Sequence, residues 1–167
     1  ALPIYHTERV IVSAATSPVG GRQLVEQAAA GVGLTQATPG TVLVVGELTV
    51  EVLAVRAGGG TVNVEEGESA AENDGSLVMR ATIAGLRLLL AGDVEEDGQR
   101  NAVASGADLS TDVLLVPHHG SGRQLPEFLA ATRASIAVFS VGLDNDYGHP
   151  AVRTQRAVQQ LGMRMLR

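Results

Sequence analysis

Short apolar runs, several of them β-branched, alternate along this chain with stretches of helical spacing. Arg9-Val10-Ile11-Val12-Ser13 predicts a short strand. Gly21 to Ala30 predicts a helix, with Leu24, Val25, Ala28 and Ala29 on one face. Thr41 to Gly46 and Thr49 to Val55, separated by Glu47-Leu48, predict a hairpin. Ser76 to Ala84 and Leu86 to Ala91 predict a second one around Ala84-Gly85. Between the hairpins, Arg56 to Gly75 is rich in glycine and acid (Glu65, Glu66, Glu68, Glu72, Asp74) and predicts a long loop.

The second half is more regular. Val94 to Ala104 predicts a helix whose acidic first turn suits its dipole. Asp112 to Val116 is a short apolar run of the kind buried in a parallel sheet, and Pro117 ends its ladder because it has no N–H to give. Leu125 to Thr132 predicts a helix, Ala134 to Val141 a strand, and Ala151 to Leu161 a helix with Pro150 at its start. Met163 to Arg167 would begin another strand. Strands alternating with helices indicate an α/β domain.

Composition narrows this picture. At 167 residues, with 45% hydrophobic but only 2% aromatic residues, the chain suits one domain with an aliphatic core. The absence of cysteine excludes disulfides, thiolate metal sites and a cysteine nucleophile. Every basic residue is arginine, and the net charge of −6 excludes a general electrostatic trap for nucleic acid, so phosphate contacts would be local, through a metal or a few arginines. The longest apolar run, Leu86 to Ala91 with Arg87 inside it, is far short of the roughly 20 residues of a membrane span. No signal peptide is visible and no initiator Met precedes Ala1, so the chain is read as a piece of something longer.

Candidate chemistry falls in three loops, each after an apolar strand: "LLLAGDVEEDG" carries Asp93, "LLVPHHGS" carries His118 and His119, and "VFSVGLDNDYGHP" carries His149. Each loop is one strand–helix unit from the next, so all three are expected at the C-terminal edge of a parallel sheet, where ligands bind. Imidazole with carboxylate suits Zn, Mn or Fe, and a carboxylate can bridge two ions. Such ions turn water into a nucleophile at neutral pH and stabilise both oxygens of a phosphodiester displacement. Taken singly, Asp93 reads as a turn residue or N-cap, His149 as an ordinary loop residue before proline, and Glu65, Glu66 and Glu68 as solvated charge. His6 stands apart from any such loop. A Ser-His-Asp hydrolase from Ser121, His119 and Asp93 lacks the Gly-x-Ser-x-Gly elbow. Gly58-Gly59-Gly60 has neither the lysine nor the helix start of a phosphate loop.

"NDGSLVMRATIAGLRLLLAGDVEEDGQR", "DVLLVPHHGS" and "VFSVGLDNDYGHP" together resemble the metallo-β-lactamase-like C-terminal domain of ComEC-type DNA-uptake (competence) channel proteins. The resemblance runs from about Arg9 to the last residue and is strongest from Asn73 to Pro150. It implies an αββα sandwich with a metal centre at one edge of its two sheets. It also implies a nuclease that processes DNA on the extracytoplasmic side of a bacterial plasma membrane, beside the channel part of the same protein. Lipid contact is not evident.

By the same resemblance, Asp93 matches the family's Gly-Asp carboxylate, His118 and His119 its His-His-Gly-Ser pair, and His149 its Gly-His-Pro histidine. These four would hold a divalent Mn or Zn, with two ions in an intact domain, and Asp93, His118 and His119 would carry the chemistry. Asn73, Ser76, Ser121 and Asn145 would orient ligands or substrate. The family's His-x-His-x-Asp-His motif is missing from this sequence. The expectation is therefore a single, partial domain over residues 1–167 that lacks the upstream segment, either cut off or lost, with activity expected of the intact parent rather than of this chain alone. Two alternatives stay open: a metallohydrolase acting on a small ester or lactam, and a non-catalytic module beside the channel.

Overall fold

Two separate sheets form in this computed structural model, which describes residues 7–15, 19–55 and 70–167. The smaller holds β1 (Arg9–Val12) and β2 (Gly33–Gln36), paired in parallel with Arg9 opposite Gly33 and Val12 opposite Gln36. Helix α1 (Val19–Ala28) connects them, because parallel neighbours need a crossover. The hydropathy pattern does not predict β2. Its four residues Gly-Leu-Thr-Gln are all exposed, so they carry no alternation to read.

Seven strands make the larger sheet, in chain order from β3 to β9. β3 (Val42–Val45) and β4 (Leu48–Ala54) are the first hairpin, and β5 (Val78–Ile83) and β6 (Leu86–Leu90) the second, both antiparallel. At the second turn Ala84 and Gly85 take φ of 48° and 81°, the positive values that match a two-residue loop to the strand twist. From β6 onward the pairing is parallel: β6 with β7 (Val113–Leu115), β7 with β8 (Ile136–Val138), and β8 with β9 (Arg164–Leu166). Each crossover carries one helix: α3 (Glu96–Ala104), α4 (Pro126–Thr132) and α5 (Val152–Gln160), where α2 is the single turn Ala70–Asn73.

An aliphatic core joins these elements, with Leu89 and Leu114 from the parallel strands packed among Phe128, Leu129 and Val158 from the helices, all fully buried. Both phenylalanines of the chain sit in it, Phe139 beside Phe128 in the same cluster.

Three expectations need correction. The predicted loop Arg56 to Gly75 contains a helical turn at Ala70–Asn73, and Asp74 is buried, not part of a solvated acidic run. The strand expected over Ala134 to Val141 keeps regular pairing only over Ile136–Val138, although Phe139 N–H still donates to Leu166 O at 2.9 Å. The helix expected from Val94 begins at Glu96, because Val94 N–H closes a turn on Ala91 O first. His6, the glycines 58–60 and Glu65, Glu66 and Glu68 lie outside the described residues.

Candidate metal centre

β6, β7 and β8 are adjacent and parallel, so the loops leaving their C-terminal ends share one sheet edge. Asp93 leaves β6, His118 and His119 leave β7, and His149 follows β8. The imidazoles cluster: His118 lies 6.2 Å from His119 and 5.6 Å from His149 between ring centroids.

The His-His segment has an unusual backbone. Pro117–Gly120 forms one tight turn in which His118 (φ 48°, ψ 49°) and His119 (φ 55°, ψ 17°) both adopt the left-handed conformation. Two consecutive non-glycine residues there store strain, which persists only where the surroundings impose it. His118 N–H donates to Gly92 O at 3.0 Å, Ser121 N–H closes on His118 O at 2.8 Å, and Gln124 Nε2 donates to Pro117 O at 3.0 Å. Gly120 follows at φ +79°, where an added Cβ would lie 2.5 Å from the Phe139 ring and 2.9 Å from Pro150. The core aromatic therefore sets how closely the histidine turn approaches β8.

This backbone aims the two imidazoles at different carboxylates. His119 Nδ1 lies 2.7 Å from Ser140 O. A carbonyl only accepts, so Nδ1 carries a hydrogen, and in the neutral ring Nε2 then presents its lone pair. Nε2 stands 3.8 Å from Asp93 Oδ1. Two acceptors facing each other at that distance leave a place for a cation or a proton. His118 Nδ1 comes within 3.0 Å of Glu95 Oε1, but not in line for a hydrogen bond, so it is a buried nitrogen without one. His149 Nδ1 is buried and unpaired as well. Burial lowers the His149 pKa, and the neighbouring His118 and His119 push the same way, which favours the neutral imidazole that binds metals.

The polar residues named from the sequence divide by what they touch. Ser76 Oγ accepts from Asp93 N–H at 3.3 Å, and Asn73 Nδ2 donates to Glu95 Oε1 at 3.3 Å. Asn145 brackets His149, accepting from its N–H at 2.9 Å and donating to its O at 2.8 Å. The buried Ser121 holds its own turn: Oγ accepts from Arg123 N–H, and its carbonyl accepts from Thr154 Oγ1 at 2.6 Å. It is thus framed by the loop rather than directed at the imidazoles.

Glu95 is a residue that sequence reasoning missed. Its side chain is 8% exposed, meets His118, accepts from Arg123 Nη1 at 2.9 Å, and takes the Asn73 bond. In the sequence it looks like one more acid in a helix's first turn. The available signal was its spacing, two residues after Asp93 in the same loop.

The donors fit a divalent ion in kind: unpaired imidazole nitrogens beside carboxylates. They do not complete a cage. Among the described residues, no group of three or more His, Asp or Glu side chains stands ready to hold an ion.

No protein-family model matches the chain. Over 138 residues it is 30% identical to ComE operon protein 3 of Bacillus subtilis (strain 168), covering 82% of this chain and 17% of that protein. Over 98 residues it is 36% identical to competence protein ComA of Neisseria gonorrhoeae, covering 58% of this chain and 14% of that one. The chain therefore spans less than a fifth of either relative's length. Its fold is similar to that of a putative metal-dependent hydrolase from Parabacteroides distasonis, with a TM-score of 0.53 at 13% identity over 98% of this chain and 77% of that one. YhfI of Bacillus subtilis, a metallo-β-lactamase fold protein, aligns with a TM-score of 0.46 at 8% identity over 97% of this chain and 63% of that one.

Proposed function

We propose that the chain belongs with the metallo-β-lactamase-like domains of ComEC-type competence proteins, given its likeness to two competence proteins, and that it is part of a metal-dependent nuclease that processes DNA during uptake. One observation carries this reading. The strained His118-His119 turn presents two imidazoles to two carboxylates, His118 to Glu95 and His119 to Asp93, with His149 closing the group. Strain of that kind accumulates where a site needs it.

In this reading Asp93, His118, His119 and His149 contribute ligands to a Mn or Zn centre of one or two ions. Asn145 orients His149, Ser76 orients Asp93, and Glu95 steadies His118. A divalent ion bound there acidifies water and offsets the charge that builds on phosphodiester oxygens. The family's His-x-His-x-Asp-His segment is not in this sequence, so these residues would supply only part of the parent's ligand set. The parent would be a plasma-membrane channel protein with this domain on the extracytoplasmic side. No helix among the described residues is long and apolar enough to cross a membrane.

The incomplete cage favours one other reading, a module that supports the DNA channel without catalysis. The test is elemental analysis of the purified chain beside an Asp93→Ala, His149→Ala double variant, followed by DNA cleavage with added Mn or Zn. Metal that disappears in the variant, with metal-dependent cleavage by the complete parent domain, supports the nuclease. A parent domain that binds metal and leaves DNA intact under every ion would favour the module or a different metallohydrolase substrate.

A further inference from the structure

The loop between β8 and α5, together with His119, builds a cavity beside the proposed ligands. It measures about 220 Å³ and is lined by His119, Ser140, Val141, Asn145, Tyr147 and His149. His119 and His149 form part of its wall, so a group next to whatever those imidazoles hold would lie against it. The Tyr147 ring is stacked on His149, with centroids 6.1 Å apart and planes 19° off parallel. The residue is nevertheless 77% exposed, and Leu143 on the same loop is 96% exposed. A chain with two tyrosines, two phenylalanines and no tryptophan thus places one of its few aromatic rings in solvent, at the mouth of its candidate site.

We propose that this cavity is a base-stacking subsite, in which a nucleobase next to the phosphodiester lies against Tyr147. The proposal rests on the DNA reading above and names the part of the substrate that the site grips. Three features select a base over a phosphate or a peptide. Exposed Asp144 and Asp146 precede Tyr147 in the same loop, and their charge disfavours a phosphate in the pocket itself but not the face of a neutral ring. Apart from the imidazole nitrogens assigned to the metal and the Tyr147 hydroxyl, the polar groups of the pocket are already engaged. Ser140 O accepts from His119, and both ends of the Asn145 amide are bonded to the loop backbone, at Gly142 O and at the N–H and O of His149. Little remains to read a base edge, so the grip is by stacking and does not depend on sequence. A net charge of −6 gives the chain little general attraction for a nucleic-acid backbone, so stacking would supply the local affinity.

The test is binding without cleavage. Fluorescence anisotropy on the 167-residue chain, in chelator, compares labelled oligothymidylate with a labelled abasic oligomer of the same length and charge. The wild type is expected to bind oligothymidylate more tightly than the abasic oligomer. Tyr147→Ala should weaken oligothymidylate by about tenfold, and Tyr147→Phe should restore it. Binding of the abasic oligomer should not change in either variant. Equal binding of both oligomers by the wild type, binding of neither, or a Tyr147→Ala variant that binds oligothymidylate like wild type would overturn the subsite. If the tyrosine effect holds while the metal-loaded parent domain leaves DNA uncut, the subsite stands and the nuclease reading falls.

Discussion

His118 Nδ1 sits 3.0 Å from Glu95 Oε1, and Glu95 is held from its other oxygen by Arg123 at 2.9 Å. One buried carboxylate thereby fixes a strained histidine to a half-exposed arginine. Removing its charge leaves Asn73 and His118 facing a neutral group. Glu95→Gln is expected to cost about 1–2 kcal/mol, while Arg123→Ala costs less than about 1 kcal/mol because its guanidinium is largely solvated. A double-mutant cycle on urea midpoints checks this, and additive effects would show that the pair is uncoupled.

Asp74 lies under the start of α3. Its Oδ1 accepts from Glu95 N–H at 3.0 Å and from Gly98 N–H at 2.8 Å, and so caps a helix whose own N-cap residue makes no side-chain cap bond. Gly98 belongs to the same arrangement, since an added Cβ would lie 2.2 Å from Val94 Cγ2. Asp74→Ala should destabilise the chain by about 2 kcal/mol, and Asp74→Asn by clearly less, because the amide oxygen still accepts. Equal losses in thermal melts would mean that charge, not capping geometry, is what matters.

Gly120→Ala meets two penalties together, a left-handed backbone and overlap with Phe139 and Pro150. We expect a loss of about 1–3 kcal/mol and a disturbed His118-His119 turn. The imidazole resonances in an NMR spectrum report the second effect. Unmoved histidine signals in a destabilised variant would separate the turn from the packing beneath it.

Gln99 is fully buried and ties α3 to the segment after the histidines. Its Nε2 donates to Val94 O at 2.9 Å and to Gln124 Oε1 at 3.0 Å, and its Oε1 accepts from Leu125 N–H at 2.6 Å. Gln124 in turn donates to Pro117 O. Gln99→Leu leaves buried groups unpaired, with an expected cost of about 1–3 kcal/mol in urea unfolding. A neutral outcome would mean that water or rearranged side chains replace these bonds.

Asp112 supplies the pH dependence away from the site. The Arg87 N–H bond at 2.8 Å, and then the Arg87 side chain, hold its carboxyl below the usual carboxylate range. A depressed folded pKa adds stability that is present above the unfolded value and is lost as pH falls through the folded one. Asp112→Asn should therefore be less stable than wild type at neutral pH, with the gap closing below about pH 4. A gap that persists into acid would assign the effect to geometry instead of charge.

Much of this molecule was legible before folding. The strand–helix alternation after Leu86 specifies parallel strands, because each apolar run is followed by a segment at helical spacing, and local periodicity is set by which residues must face a core. That order alone brings Asp93, His118 and His149 to one sheet edge, since the C-terminal ends of adjacent parallel strands point the same way. Other features came only with the tertiary structure. Glu95 joins the candidate site because Asn73, Arg123 and His118, all distant in sequence, converge on it. The left-handed turn at His118-His119 exists because Gly92, Gln124 and Phe139 constrain it. β2 forms because β1 offers it a partner, not because its own exposed residues demand a strand. Local pattern encodes burial and direction, whereas the partners of a buried charge depend on contacts that only the packed chain brings within reach.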